Sequence, residues 1–208
     1  MSTTVQTILE MTVNWFLPLY FAAFFGVAVV WRTYRVWRDT GVNAFRLREE
    51  SGPERVTGRY FKLLPVGVVV LLAVYWLWPA VYRQLGVIEL LETAVVQSIG
   101  MLLMLAALVW TVLAQTQMGQ SWRIGIDHEH RTALVTAGVY RFSRNPIFVG
   151  MIGSMLGLFL VLPCAVTLLV LGLSVALIQV QVSLEETHLR DLHGNDYGDY
   201  CHQVPRWL

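Results

Sequence analysis

Charged residues are scarce in this chain, at 14% of 208 positions, too few to clothe the surface of an ordinary soluble domain. Hydrophobic residues make up 56%. The pair of figures excludes a soluble globular protein and calls for a lipid environment. Cysteine is rarer still: Cys164 and Cys201 are the two in the chain, without a CxxC spacing, so neither a disulfide framework nor a zinc site is indicated. There is no internal repeat, no low-complexity linker and no GxGxxG of the kind that opens soluble dinucleotide folds. Five histidines, His128, His130, His188, His193 and His202, fall at no ligand spacing backed by a third donor, and no metal is expected. The net charge of +1 gives no footprint for nucleic acid, because the arginines are interleaved with Glu49, Glu50 and Glu54.

What is present is long apolar runs. A bilayer core needs roughly 17 to 25 apolar helical residues, and five stretches qualify: about 13–31, 63–81, 87–114, 146–162 and 164–184. The first lacks a basic leader and a small-residue cleavage pattern, so it is expected to stay in the mature protein rather than act as a signal peptide. The predicted fold is therefore all-α, a single polytopic membrane helix bundle over residues 1–208. Residues 1–115 read as scaffold spans, and residues 116–208 as a second half, built on a helical hairpin, in which the chemistry-bearing residues collect. If the spans alternate, Arg83 alone falls on one side and the other fourteen of the fifteen basic residues on the opposite one. The positive-inside rule then places the N-terminus out and the C-terminus in the cytoplasm. Arg32, Arg35 and Arg38, at helical spacing just past Trp31, read as interfacial anchors to anionic headgroups.

The connection after Ala114 is polar and carries Gly119, Gly125 and Gly138; a loop of such length with little periodicity is more often functional than idle. It leads into Asn145 and Pro146, a preferred N-cap followed by a residue favoured at the first helical position. The helix that starts there presents unpaired N–H groups and the positive end of its dipole beside Arg141 and Arg144, an arrangement suited to an anion. Gly150, Gly153, Ser154 and Gly157 give the same helix a small face for close helix packing. The last apolar run continues in helical register through Glu185 and Glu186 to Gly194, a plausible stop. Its two acids hang just below the hydrocarbon, with Glu186 and Arg190 at pairing distance along the helix.

These residues carry a resemblance. "LVTAGVYRFSRNPIFVG" resembles the LVTxGxY…RHPxYxG of the isoprenylcysteine carboxyl methyltransferase family, related to the integral-membrane phospholipid methyltransferases. "EETHLRDLHGNDYGDYCHQVPRW" resembles that family's EExxL…GxxYxxY…VP. The order, the internal spacings and the intervening hairpin agree over residues 133–207.

The resemblance implies an S-adenosylmethionine-dependent methyltransferase whose substrate is a lipophilic or prenyl-bearing molecule drawn from the membrane lipids, with no nucleic-acid partner and an active site facing the cytoplasm. Carried over position by position, it assigns the cofactor to a strand-like entry at Thr132, Ala133, Leu134 and Val135, then to Tyr140, Asn145, Pro146, Ile147 and Phe148, to Glu185, and to Tyr197 in a tail that closes over it together with Tyr200. Arg144 and Glu186 are the catalytic candidates, Glu186 as a base should the acceptor be an amine; Gln181 and Arg141 are the substrate-binding candidates. The chain departs from the family at three places: Asn145 stands for His, Phe148 for Tyr, and Gln181 for the Arg that holds a prenylcysteine carboxylate. A neutral Gln cannot supply that charge, and this favours a phospholipid-amine N-methyltransferase as the second enzymatic reading. An NADPH-dependent membrane reductase of the steroid-reductase type and a non-enzymatic bundle are the further alternatives. Transporter subunits usually carry midplane ionisable residues and repeat symmetry, and the five apolar runs carry neither.

Overall fold

The computed structural model describes residues 3–42, 44, 52–125 and 132–208. Within them the chain is helical and forms no strand. His128, His130 and Arg131, which the sequence placed in the polar connection, lie outside the described residues, as do Arg46, Arg48, Glu49 and Glu50.

The first apolar run folds as one rod: α1 (Thr3–Ala23) passes into a π-helical segment, Phe24–Trp31, and continues as α2 (Arg32–Thr40) before Gly41 turns the chain at φ 70°. The second helix, α3 (Gly52–Leu77), begins earlier and ends earlier than the apolar run alone suggests, because Trp78 leaves helical geometry ahead of Pro79. Pro79 instead opens the short α4 (Pro79–Arg83). The third long helix, α5 (Ala94–Met118), starts seven residues after the expected boundary at 87. Glu89–Leu91 forms a short 3-10 turn, and the Thr93 hydroxyl accepts the Val96 N–H, so a side-chain cap rather than hydrophobicity sets the start.

The last two apolar runs are α6 (Pro146–Val161) and α7 (Ala165–His193), followed by α8 (Asn195–Gln203). The turn between α6 and α7 is the tight hairpin that the sequence implies. The Cys164 N–H donates to Thr167 Oγ1 at 3.1 Å, the Thr167 hydroxyl donates to the Leu162 carbonyl at 2.6 Å, and the Ile88 N–H donates to the Pro163 carbonyl at 2.7 Å. Four helical stretches, Met11–Thr40, Arg55–Leu77, Ala94–Ser121 and Ala165–His193, are long and apolar enough to cross a membrane. The expected fifth, α6, has 16 residues, roughly 24 Å at 1.5 Å per residue against a hydrocarbon core of about 30 Å. Proline fixes its start at Pro146 and interrupts the chain again at Pro163.

α6 lies against α5 at backbone distance. A Cβ placed on Gly150 would sit 2.1 Å from the Thr111 hydroxyl, and one on Gly157 would sit 2.8 Å from the Gly100 carbonyl. Glycine is what lets these two helices touch. Ser154, one turn after Gly150, shares a hydrogen bond of 2.7 Å with the Tyr20 hydroxyl of α1. One buried cluster then joins Leu17 and Phe21 of α1, Val68 and Leu71 of α3, Met104 of α5 and Leu158 of α6. The outer faces are apolar too: Trp15, Leu19, Val66, Val69, Leu102, Val109 and Leu169 are all exposed. A soluble monomer rarely shows so much apolar surface, and lipid is the solvent that suits it.

Candidate active site at the start of α6

The turn that leads into α6 is held by its neighbours on both sides. Gly138, at φ 66°, comes so close to Gln117 that a Cβ would lie 2.1 Å from the side-chain amide oxygen, and this oxygen accepts the Val139 N–H at 2.7 Å. Trp110 donates its indole N–H to the Pro146 carbonyl at 2.9 Å. From the other side the C-terminal tail binds the same turn. Tyr200 donates to the Tyr140 carbonyl at 2.7 Å, the Arg144 N–H donates to the Pro205 carbonyl at 3.0 Å, and the Arg206 carbonyl accepts from the Ser143 hydroxyl and the Asn145 amide, each at 3.2 Å.

Asn145 stands immediately before α6, where the sequence places it, but its side chain makes no cap. The amide is turned toward Arg206 instead. The tail outcompetes the helix end for that side chain, so the first N–H groups of α6, which no intrahelical carbonyl can reach, keep no cap from Asn145.

A cleft opens at this point, enclosing about 590 Å³ of empty space that is partly open to solvent. Its walls bring together Thr132, Ala133, Leu134 and Val135 from the preceding loop, Tyr140 and Arg144 from the turn, Asn145, Pro146, Ile147 and Phe148 from the start of α6, Glu185 from α7 and Tyr197 and Tyr200 from α8. All eleven positions assigned by resemblance to the cofactor thus share one cavity, together with one catalytic candidate. The entry at 132–135 is irregular chain rather than the strand-like segment expected, with the Ala133 carbonyl accepting from the Ser121 hydroxyl at 3.1 Å. Met118 and Leu189 also line the cleft and were not singled out from sequence. Leu189 follows Glu185 by one helical turn and could have been found by that spacing; Met118 carries no motif.

Three candidates lie elsewhere. Arg141 is exposed and is not among the cleft residues. Gln181 is buried, with its side-chain oxygen lacking a hydrogen-bond partner, one turn of α7 before Glu185. Glu186 is almost wholly buried and points away from the cavity into a cluster of arginines. Arg206 approaches it at 2.6 Å, Arg144 at 3.2 Å and the i,i+4 neighbour Arg190 at 3.8 Å. A carboxylate so engaged has no free oxygen to take a proton from a substrate; it fixes the tail and the turn to α7. Glu185, expected only to touch the cofactor, is the acid that faces the cavity, and no cation among the described residues forms an ion pair with it.

The site's electrostatics follow from burial. Burial pushes the Tyr140 phenol well above the usual range, the Glu185 and Tyr200 charges act in the same direction, and Arg32 opposes them. Tyr200 is pushed up to about 12, chiefly by burial, against the influence of Arg144. The tyrosines are therefore neutral hydroxyl groups at physiological pH. Arg144 keeps its Nε buried without a partner even though its other nitrogens reach Glu186 and the Cys201 carbonyl. Among the described residues no group of three or more His, Cys, Asp or Glu side chains is arranged to hold a metal, and both cysteines are free thiols.

The chemistry available is thus an apolar pocket wall of Leu134, Val135, Ile147 and Phe148, an anion-favouring helix end with an incompletely bonded arginine, and one acid. No curated protein and no solved structure is found to match the chain. The family model described as "Phospholipid methyltransferase" matches residues 95–196, from the first turn of α5 to the start of α8. The matched segment, which carries the cleft residues other than Tyr197 and Tyr200, is thus similar to the phospholipid methyltransferases.

Proposed function

We propose that the protein is an S-adenosylmethionine-dependent methyltransferase that modifies a lipid-like amphiphile at the cleft between α6, α7 and α8, with the N-terminus outside and the cleft on the cytoplasmic face. The observation that carries this reading is convergence: eleven residues drawn from separate parts of the chain by motif alone line a single cavity, and all of them but Tyr197 fall inside the segment that matches a methyltransferase family.

The donor set fits the cofactor. Apolar walls suit the adenine, Glu185 suits ribose hydroxyls or the ammonium, and the unpaired N–H groups of α6 with the orphaned Arg144 Nε suit the carboxylate. Held by these residues, S-adenosylmethionine would supply an electrophilic methyl group to the acceptor. For such an in-line transfer the protein's task is positioning. The turn from Tyr140 to Asn145 performs it, tied to α5 by Gln117 and Trp110 and to the tail by Tyr200 and Arg206. Glu186 contributes by fixing Arg144, which makes it a positioning residue in this reading.

Gln181 favours an amine acceptor as the finer reading. It is neutral and buried where a carboxylate substrate would need a cation, and its side-chain oxygen is without a donor. An amine acceptor needs no cation at that position, whereas a carboxylate acceptor would.

Calorimetry with S-adenosylhomocysteine on the detergent-purified protein, beside NADPH, tests the class. Saturable binding of the former that Glu185→Ala weakens by about tenfold, the loss of one hydrogen bond to a charged group, is the expected result. Binding of NADPH alone would move the protein to the membrane reductases.

A further inference from the structure

Arg32, Arg35 and Arg38 share a helical spacing, yet Arg32 is no interfacial anchor. Arg35 and Arg38 are exposed and paired with Asp39. Arg32 is 5% exposed and packs inward. One guanidinium nitrogen donates to the Gly119 carbonyl at the end of α5, and the group lies over the Trp122 ring, 5.8 Å from its centroid. A helix C-terminus and an aromatic face both favour a cation, and away from water such contacts act more strongly than at the surface. Arg32 thus holds both partners in place.

Three contacts at intervals of four residues join the first rod to α5 and to the turn after it. The Gln115 amide donates to the Ala28 carbonyl at 3.0 Å, Arg32 holds Gly119 and Trp122, and Val36 shares a buried cluster with Trp122. The first of these ties the rod to α5 itself. The other two grip residues 119–124, and the far side of that segment builds the cleft. The Ser121 hydroxyl donates to the Ala133 carbonyl at 3.1 Å, and Met118 and Ile147 pack against the Trp122 cluster. Met118, Ala133 and Ile147 all line the cavity. The Ile124 N–H closes the segment onto the chain beyond α2 by donating to the Ala44 carbonyl at 2.8 Å.

We infer that Arg32 is a positioning residue for the cleft: by holding the Gly119 carbonyl and the Trp122 ring it fixes residues 119–124, and through them the wall formed by Met118, Ala133 and Ile147. The first rod, which lies outside the matched residues 95–196, thereby takes part in the site rather than only supporting it. The inference rests on the methyltransferase reading for the ligand that the wall receives, but not for the wall itself.

The test compares two variants of the full chain in detergent. Arg32→Met keeps bulk over the Trp122 ring and removes the charge and the donor, whereas Gln115→Ala cuts the neighbouring tie between the same rod and α5. Calorimetry reads S-adenosylhomocysteine affinity, and hydrogen exchange followed by mass spectrometry reads the wall. Arg32→Met should weaken the affinity about fivefold and speed exchange at 119–124 and 132–135. Arg32→Lys, which retains a charged donor, should restore most of the affinity. Gln115→Ala should lower the melting temperature and leave affinity and exchange at 132–135 unchanged. Should Arg32→Met fail to fold, Arg32→Gln is read in its place by the same criteria. Unchanged affinity and unchanged exchange at 132–135 in the Arg32 variant overturn the inference. An equal loss of affinity in Gln115→Ala overturns it as well, since Arg32 would then act only through general stability. A wild type that binds no S-adenosylhomocysteine removes the methyltransferase reading, and the positioning role then stands or falls on whether the Arg32 variant speeds exchange at 132–135.

Discussion

Arg206, two residues from the C-terminus, donates two hydrogen bonds to Glu186, at 3.1 and 2.6 Å. Glu186 sits on α7 with its side chain only 2% exposed, and Arg144 reaches the same carboxylate from the turn before α6. Three segments that are distant in sequence thus meet at one acid, and the cleft depends on their meeting. Removing the acid leaves Arg144 buried and uncompensated. Glu186→Ala is expected to destabilise the protein by about 3 to 5 kcal/mol, the usual consequence of breaking a buried ion pair on one side. Arg206→Ala, at a half-exposed position, should cost only about 1 kcal/mol. Thermal unfolding in detergent, monitored by circular dichroism, checks the order of the two; equal effects would contradict the hub role of Glu186.

Tyr200→Phe removes the hydroxyl that holds α8 to the Tyr140 carbonyl and should lower stability by about 1 kcal/mol. The pH dependence has a definite sign. The folded-state phenol is raised to about 12 from an unfolded value near 10, so its stabilising contribution is complete below about pH 10 and disappears as pH rises through about 12. The difference in melting temperature between wild type and Tyr200→Phe should accordingly be constant from pH 6 to 9. A difference that shrinks within that range would mean that the hydroxyl titrates early and that the bond is not buried.

The glycines of α6 are not equivalent. Gly157→Ala would drive a Cβ to 2.5 Å from Met104 Cγ and 2.8 Å from the Gly100 carbonyl, whereas Gly153→Ala meets only the Ala107 Cβ at 3.3 Å. Gly157→Ala is expected to cost about 1 to 3 kcal/mol through overpacking, and Gly153→Ala much less. Yields of folded protein after size-exclusion chromatography, together with melting temperatures, distinguish them.

Asn145→Asp tests the anion-binding end of α6. The substitution keeps the shape, adds a negative charge beside the first N–H groups, and abolishes the amide bond to the Arg206 carbonyl. S-adenosylhomocysteine affinity should fall about tenfold, measured by calorimetry, with a loss of stability of about 1 kcal/mol. Unchanged affinity in both Asn145→Asp and Glu185→Ala would remove the support for this cleft as the cofactor site.

Much of the site could be read from the sequence because it is carried by local chemistry. Asn145 and Pro146 announce a helix start wherever they occur in such a context, and Gly194 ends a helix that the apolar run and the Glu pair continue. Helix starts governed by a side chain were harder to place. Hydrophobicity alone put the third apolar run at 87, and Thr93 moved it to 94, since a cap competes with an apolar residue only once the backbone must satisfy its own N–H groups. The bounds of α6, by contrast, were legible, because the apolar run at 146–162 lies between two prolines and the helix spans Pro146–Val161.

The sequence by itself determined the class of environment, the helical architecture and the identity of the residues at the turn, because hydrophobic runs, prolines, glycines and caps act over a few residues of chain. Tertiary structure alone decided which side chains were spent on structure and which face the cavity. Glu185 and Glu186 are adjacent and chemically alike, yet successive residues of a helix point about 100° apart, so one lines the cleft while the other is enclosed by arginines from three segments. Arg32 and Arg35 are likewise separated by less than a turn, and only the packing of α2 against Gly119 and Trp122 buries the first and leaves the second exposed. Such assignments depend on contacts between residues tens of positions apart, which no local pattern encodes.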